Sequence, residues 1–211
     1  MTKIQALELF KGSITTIELT ILAVVIGLFF GMFLALGRIS RNKIMNGICW
    51  IYIWIFRGTP LLLQIYVIYF ALPSIGIKFD AFPAAIVALS LNSAAYLAEI
   101  IRAAIQSIDK GQMEASKALG MSYYQAMFKI IIPQSYRRLI PPVGNEAIML
   151  LKDSSLVSVM GMTELLRSSK LMANASREMY FYFIAGAIYL FFTTIFTIIF
   201  QKLEQKYSVY E

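Results

Sequence analysis

The chain has 211 residues, of which 59% are hydrophobic and only 15% charged, where a soluble domain carries about 25% charged residues. With mean hydropathy +0.69, its apolar surface exceeds what water tolerates, and lipid is the expected solvent. A net charge of +7 does not point to nucleic acid, because the basic residues sit at the ends of apolar runs, where they set topology. Absence of histidine and the single cysteine, Cys49, exclude His-based metal sites, His general-base catalysis and an internal disulfide.

The chain opens on a mixed-charge lead, Lys3, Glu8 and Lys11, unlike a cleaved signal. Five windows then offer the roughly 20 mainly apolar residues that a crossing helix needs: 14–36, 48–72, 83–105, 139–160 and 181–203. The third and fourth also carry polar residues. No linker, low-complexity tract or repeat divides them, so residues 1–211 are expected to form a single transmembrane domain. Gly27 and Gly31 form a Gly-x-x-x-Gly step that permits close helix contact and is by itself no mark of dimerisation.

Lys and Arg near the window ends set a direction. Arg38, Arg41, Lys43, Arg102, Lys110, Lys117, Lys129, Arg137, Arg138, Lys202 and Lys206 fall on one side. Lys3, Lys11, Lys78, Arg167, Lys170 and Arg177 fall on the other. The richer side is the expected cytoplasmic one, with the N-terminus outside and the C-terminus inside.

Ionisable groups within crossings face a bundle interior or a water-filled path. Arg57 and Glu99 lie at depths differing by about one turn, which allows an ion pair between the second and third crossings, with Arg102 one turn further to share Glu99. The pair either fixes helix register or touches solute. Gly58 and Pro60 break the regularity of the second crossing beside Arg57, as a structural kink or as a gating or solute-lining segment. Thr59 at that break, Asn92 in the third window, and Ser155 and Ser158 in the fourth are candidate solute contacts, or helix glue. Lys152 and Asp153 are adjacent, point in different directions, and are expected to pair with neighbouring chain segments or with each other's spans across a dimer. Glu164 follows the fourth window as a candidate partner for a cationic solute, a solvated loop residue, or a cap for a helix from Leu165.

Between the third and fourth windows runs a polar loop at about 108–133. Residues 112–119 read as a short helix. After Gly120, apolar residues at Tyr123, Tyr124, Met127, Phe128 and Ile131 keep helical spacing on one face. Gly120 permits a sharp bend and close backbone approach. Pro133 ends the second helix or sets its junction with the next crossing. The helix either lies on the membrane surface or serves a partner.

The residues Glu114-Ala115-Ser116, Gly120, Ile130, Ile132 and Pro133, at their spacings, closely resemble the EAA loop of ABC importer permeases, with Ser116 and Ile132 as mild departures. Phe56-Arg57-Gly58-Thr59-Pro60-Leu61-Leu62, Tyr96-Leu97-Ala98-Glu99-Ile100-Ile101-Arg102 and Lys152-Asp153-Ser154-Ser155-Leu156 resemble the polar amino acid branch. The likeness implies an all-α integral membrane fold of the type I ABC importer permease class, with five transmembrane helices and a cytoplasmic coupling-helix loop. It implies a prokaryotic plasma membrane, a second permease copy or paralogue, ABC ATPase subunits and an extracytoplasmic amino-acid-binding protein. By the same resemblance Glu114, Ala115, Gly120, Met121 and Pro133 serve ATPase coupling.

No Gly-x-x-x-x-Gly-Lys-Ser/Thr phosphate loop exists, so ATP and Mg belong to the partner ATPase, and this chain is expected to hold no cofactor and no catalytic residue. The expected solute is a basic amino acid such as arginine, lysine or histidine, moved by alternating access. The same machinery could serve glutamine or glutamate. An ion-coupled secondary transporter would explain the intramembrane charges and leave the loop unexplained.

Overall fold

The computed structural model describes residues 2–207, and among them every regular element is helical. Helix α1 (Lys3–Ile39) starts well before the first predicted crossing, because Thr2 and Gln5 form a capping box that absorbs its first free N–H groups. After a short turn, α2 (Lys43–Gly58) is capped by Asn42. The sequence predicts one crossing over 48–72 whose regularity breaks at Gly58 and Pro60, and the chain takes that break much further than a kink. The helix stops at Gly58, and α3 (Leu61–Tyr66), prolonged by a wide turn Val67–Ala71 and a tight one Leu72–Ile75, leaves at 103° to α2. Pro60 causes the break: it has no N–H to donate, and it drives Thr59 into extended backbone.

Helix α4 (Ala81–Gln106) matches the third predicted crossing. The loop folds as α5 (Lys110–Ala118) and α6 (Tyr123–Ala126), and α6 runs through a π turn, Met127–Ile131, into α7 (Ile132–Asp153). Pro133 therefore does not end the second loop helix. It sits in the first turn after the π turn, where its missing N–H is tolerated. Helix α7 passes into a 3₁₀ segment, Ser154–Met160, that closes at Gly161. A short helix α8 (Leu165–Ser176) and the long α9 (Tyr180–Tyr207) complete the fold.

Helices α1, α4 and α9 are each long and apolar enough to cross a bilayer, and the bent α2–α3 pair is so when its two pieces are taken together, as a broken span or a re-entrant loop. Helix α7 carries Arg137, Arg138, Glu146, Lys152 and Asp153 and is too polar to qualify by composition. It packs against α1, α4 and α9 all the same.

Helix α4 is the centre. Of its most apolar stretch 67% is buried, against 6% for α9. Lipid offers helices no hydrophobic drive to associate, so close backbone approach must supply the contact. Ala84, Ala85, Ala88, Ser93, Ala94, Ala95 and Ala98 give α4 a low profile. The Gly27–Gly31 step of α1 lies against it: a Cβ on Gly31 would sit 3.1 Å from the Ala94 carbonyl oxygen and 3.1 Å from the Ala98 nitrogen. The step thus closes an intrachain interface. Cys49 is buried and free.

Candidate functional site

Polar chemistry gathers where α2 breaks. A helix end leaves carbonyls without partners, and in lipid each such group is costly. Here side chains meet them. Thr59 Oγ1 donates to the Ile55 carbonyl (2.8 Å). Gln64 Nε2 donates to the Phe56 and Thr59 carbonyls (2.9 and 3.1 Å) and lies 2.9 Å from Thr59 Oγ1. Asn92 Nδ2, from α4, donates to the Phe56 carbonyl (3.2 Å) and to Gln64 Oε1 (3.0 Å). Gln64 and Asn92 are both buried. The break is thereby a fixed feature, pinned to the central helix.

Beside it opens a cavity of about 490 Å³, within the range of small-molecule sites. Its polar lining is Arg57, Thr59, Asn92, Tyr96, Glu146 and Asp153. Glu146 and Asp153 are seven residues apart on α7, which places both on one face about 10 Å apart along the axis. Glu146 is 7% exposed. Arg57 ends α2 with its guanidinium 5.2 Å from the centre of the Tyr96 ring. Arg57 and Tyr96 also line a second cavity, of about 520 Å³, with Glu99, Arg102, Ser107, Arg138 and Pro142. The two spaces share Arg57 and Tyr96, so charged side chains mark a route from the break toward Ser107, where α4 leads into the α5–α6 loop.

Glu99 sits on this route. Arg102 holds it with both arms, Nε to Oε1 at 3.0 Å and Nη2 to Oε2 at 2.7 Å. Arg57 stands at 3.9 Å from Oε2. The three groups predicted to share one site do so, with Arg102 as the closer partner. Arg57, with its side chain 44% exposed, keeps a face toward the cavity.

The other candidates scatter. Of the predicted solute contacts, Thr59 and Asn92 line the cavity, while Ser155, Ser158 and Glu164 do not. Ser155 and Ser158 lie in the 3₁₀ segment after α7, and the Ser158 carbonyl accepts from Arg167 Nη1 (3.0 Å). Glu164 is the N-cap of α8. Its carboxylate accepts from the Leu166 and Arg167 N–H groups (2.8 and 2.7 Å) and from the Tyr189 hydroxyl (3.1 Å), with no exposed surface. Asp153 faces the cavity, and Lys152 turns outward. Among the described residues neither has an ion-pair partner within 4 Å.

Two residues of this site go unmarked in the sequence reading. Gln64 is a neutral amide inside an apolar run and gives no signal until the broken end of α2 is brought beside it. Glu146 does give one: it is an ionisable group in a predicted crossing, two turns before Asp153.

At the far end of the route, α5 closes in a Schellman turn. Gly120 N–H donates to the Lys117 carbonyl (2.9 Å) and Met121 N–H to the Ser116 carbonyl (3.0 Å). Gly120 has φ +79°, and a Cβ there would meet nothing within 4 Å. Glycine is therefore required by the left-handed turn and not by a close approach within the chain. Ser116 is buried and returns its hydroxyl to the Gln112 carbonyl (2.7 Å), so it fits where alanine would. Glu114 and Ala115 face outward. Leu119 (83% exposed), Tyr124 (74%) and Phe128 (59%) leave an apolar face of the loop uncovered by this chain.

Residues 27–209 match the model of the binding-protein-dependent transport system inner membrane component family. The chain belongs to this family. It is 42% identical to the arginine transport system permease protein ArtQ of Bacillus subtilis, over 93% of this chain and 90% of that one. It is 37% identical to a putative glutamine transport system permease protein, GlnP, of Rickettsia felis, over 94% and 92%. A solved amino acid ABC transporter, crystallised with histidines, superposes with TM-score 0.90 at 40% identity, covering 95% of this chain and 94% of that one.

This permease of an ABC amino acid importer is thus an inner-membrane transport component with the type I importer fold.

Proposed function

We propose that this permease carries basic amino acids, and that the cavity at the α2 break is where they pause. The observation that carries this reading is the charge of the lining: two carboxylates, Glu146 and Asp153, against one guanidinium, Arg57. Arg57 suits the α-carboxylate of an amino acid. Glu146 and Asp153 suit its ammonium and a second, side-chain cation. A fixed carboxylate in a low-dielectric wall favours a solute that brings the opposite charge. The names of ArtQ and of the transporter crystallised with histidines support the same class.

The glutamine reading draws on the GlnP relatives. It is the weaker one, because the amide hydrogens of Gln64 and Asn92 already serve backbone and each other.

The full machine would pair this chain with a second copy or paralogue. ATPase subunits would bind ATP and Mg and grip the α5–α6 loop. A solute-binding protein would deliver from outside. The N-terminus lies outside and the loop and C-terminus inside the cell, in keeping with the Lys and Arg distribution.

ATP-driven uptake of labelled arginine into proteoliposomes holding the whole complex tests the substrate class. Excess lysine or histidine should suppress uptake, and glutamine should not. Suppression by glutamine alone would transfer the assignment to the glutamine reading.

The loop has its own test. A left-handed residue with a Cβ costs about 1–2 kcal/mol, and a β-branched one fits worst. Gly120→Val should therefore cut copurification of the ATPase subunit severalfold, while Gly120→Asn, tolerated in that conformation, should retain it. Full retention by the valine variant would show that the turn is not needed for the grip.

A further inference from the structure

The corner between α1 and α2 holds a site outside the solute route. A cavity of about 360 Å³ is lined there by Arg38, Ser40, Arg41, Lys43, Asn46 and Trp50. Three cations converge on it, and among the described residues none of them has a carboxylate within 4 Å. The corner is shaped and not a loose fringe of charge. Arg38 Nη1 donates to Asn46 Oδ1, and Asn46 Nδ2 donates to the Arg38 carbonyl (2.7 Å), which ties the end of α1 to the start of α2. Arg38 Nε is buried without a hydrogen-bond partner. The N–H groups of the α2 start are not what draws a ligand, since Asn42 already accepts from Ile44 and Met45.

Glu99 faces Arg38 across a neighbouring cavity, but Arg41 and Lys43 have no such carboxylate among the described residues, which leaves a place for an outside anion. Its chemistry is set by what adjoins the basic corner. Arg38 and Trp50 also line that neighbouring cavity, of about 380 Å³, whose inner end is charged, with Arg57, Tyr96 and Glu99, and whose outer side is the apolar face of α2 at Ile53 and Trp54. Trp50 and Trp54 stack at 6.0 Å and 10° along that face, and Ile48 and Ile51 are exposed beside them. The ligand must therefore be anionic at one end and apolar along the other. Tryptophan favours the boundary between headgroups and hydrocarbon, and clustered Lys and Arg next to a crossing attract anionic headgroups.

We propose that this corner binds an anionic phospholipid, with the headgroup phosphate among Arg38, Arg41 and Lys43 and an acyl chain along Trp50 and Trp54. The site adjoins the α5–α6 loop through Arg41, whose guanidinium stands 5.9 Å from the centre of the Tyr123 ring. Headgroup binding at Arg41 thus bears on the loop that a partner grips. This site is independent of which amino acid is carried.

Native mass spectrometry of the whole complex, purified from bilayers of equal phosphatidylglycerol and phosphatidylcholine, provides the test. The complex should retain about thirty- to a hundredfold more phosphatidylglycerol than phosphatidylcholine, as expected for two or three interfacial cations. The double variant Arg41→Ala with Lys43→Ala should lose most of that preference, and so should the milder Lys43→Glu, whose exposed position leaves folding intact. Lys202→Ala with Lys206→Ala, another basic pair that lines none of these cavities, should keep it.

Equal retention of both lipids would overturn the proposal. An equal loss in the Lys202/Lys206 variant would do so too, by showing diffuse charge alone. Displacement of the lipid by millimolar inorganic phosphate would make it a free-phosphate site. Loss of the ATPase subunit from the Arg41/Lys43 variant with lipid retention unchanged would make it a protein contact.

Discussion

In the reconstituted importer, Glu146→Gln should raise the arginine concentration for half-maximal uptake by about ten- to a hundredfold, from the 1.5–3 kcal/mol of a charge-assisted contact at 1.4 kcal/mol per decade. Glutamine has the same shape, so the variant removes a charge and little packing. Glu146 is suited to this role because it is nearly inaccessible except from the cavity and lies on the face of α7 that Asp153 shares. Asp153→Asn should act in the same direction and more weakly, since Asp153 is less buried and better screened by water. Arg57→Gln should differ in kind: it removes the anchor for the carboxylate common to all amino acids and should impair every solute, cationic or not. Assembly with the ATPase subunit is the control in each variant. An unchanged arginine requirement in Glu146→Gln would remove this cavity from the transport path.

The second large effect concerns stability. Gly31→Val should destabilise the permease by about 3 kcal/mol, lowering its unfolding temperature in detergent by about 6–12 °C on the scale of domains this size. A single Cβ at Gly31 already presses on backbone atoms of Ala94 and Ala98, and backbone cannot rotate away as a side chain can. The added methyls of valine must then lever α1 off α4, the helix on which the rest of the bundle is built. Gly186→Val in α9 is the comparison, because a Cβ there meets nothing within 4 Å; it should be close to neutral. Equal unfolding temperatures for the two variants would refute the close α1–α4 contact.

The loop was the most legible part of the sequence. Its motif is a set of residues at fixed spacing, and the Schellman turn at Gly120 is a local structure that local residues dictate. The central crossing was legible although Ser90, Asn92 and Ser93 interrupt its apolar run, because so many small residues in a mostly apolar stretch suit a close-packed helix. The second crossing was harder. Hydropathy counts apolar residues without regard to direction, so 48–72 reads as one span, although Pro60 turns it by 103°. Ser155 and Ser158 were projected onto an α-helix that gives way to 3₁₀ geometry at Ser154, which rotates both to other faces. For Glu164 the cap and solute readings both fitted the sequence. Only the position of Tyr189, 25 residues later, and the burial it brings distinguish them.

Mending the gap between α2 and α3 has a cost in vocabulary. Each amide hydrogen of Gln64 and Asn92 is engaged in holding chain to chain, so the neighbouring wall addresses a passing molecule mainly through its ions. On the proposed reading such a surface would respond to sign and valence, and little to the finer pattern by which one cationic side chain is told from another. Discrimination of that grain would fall to the chain that hands the molecule over, leaving the permease as a turnstile that checks charge and lets the courier check identity.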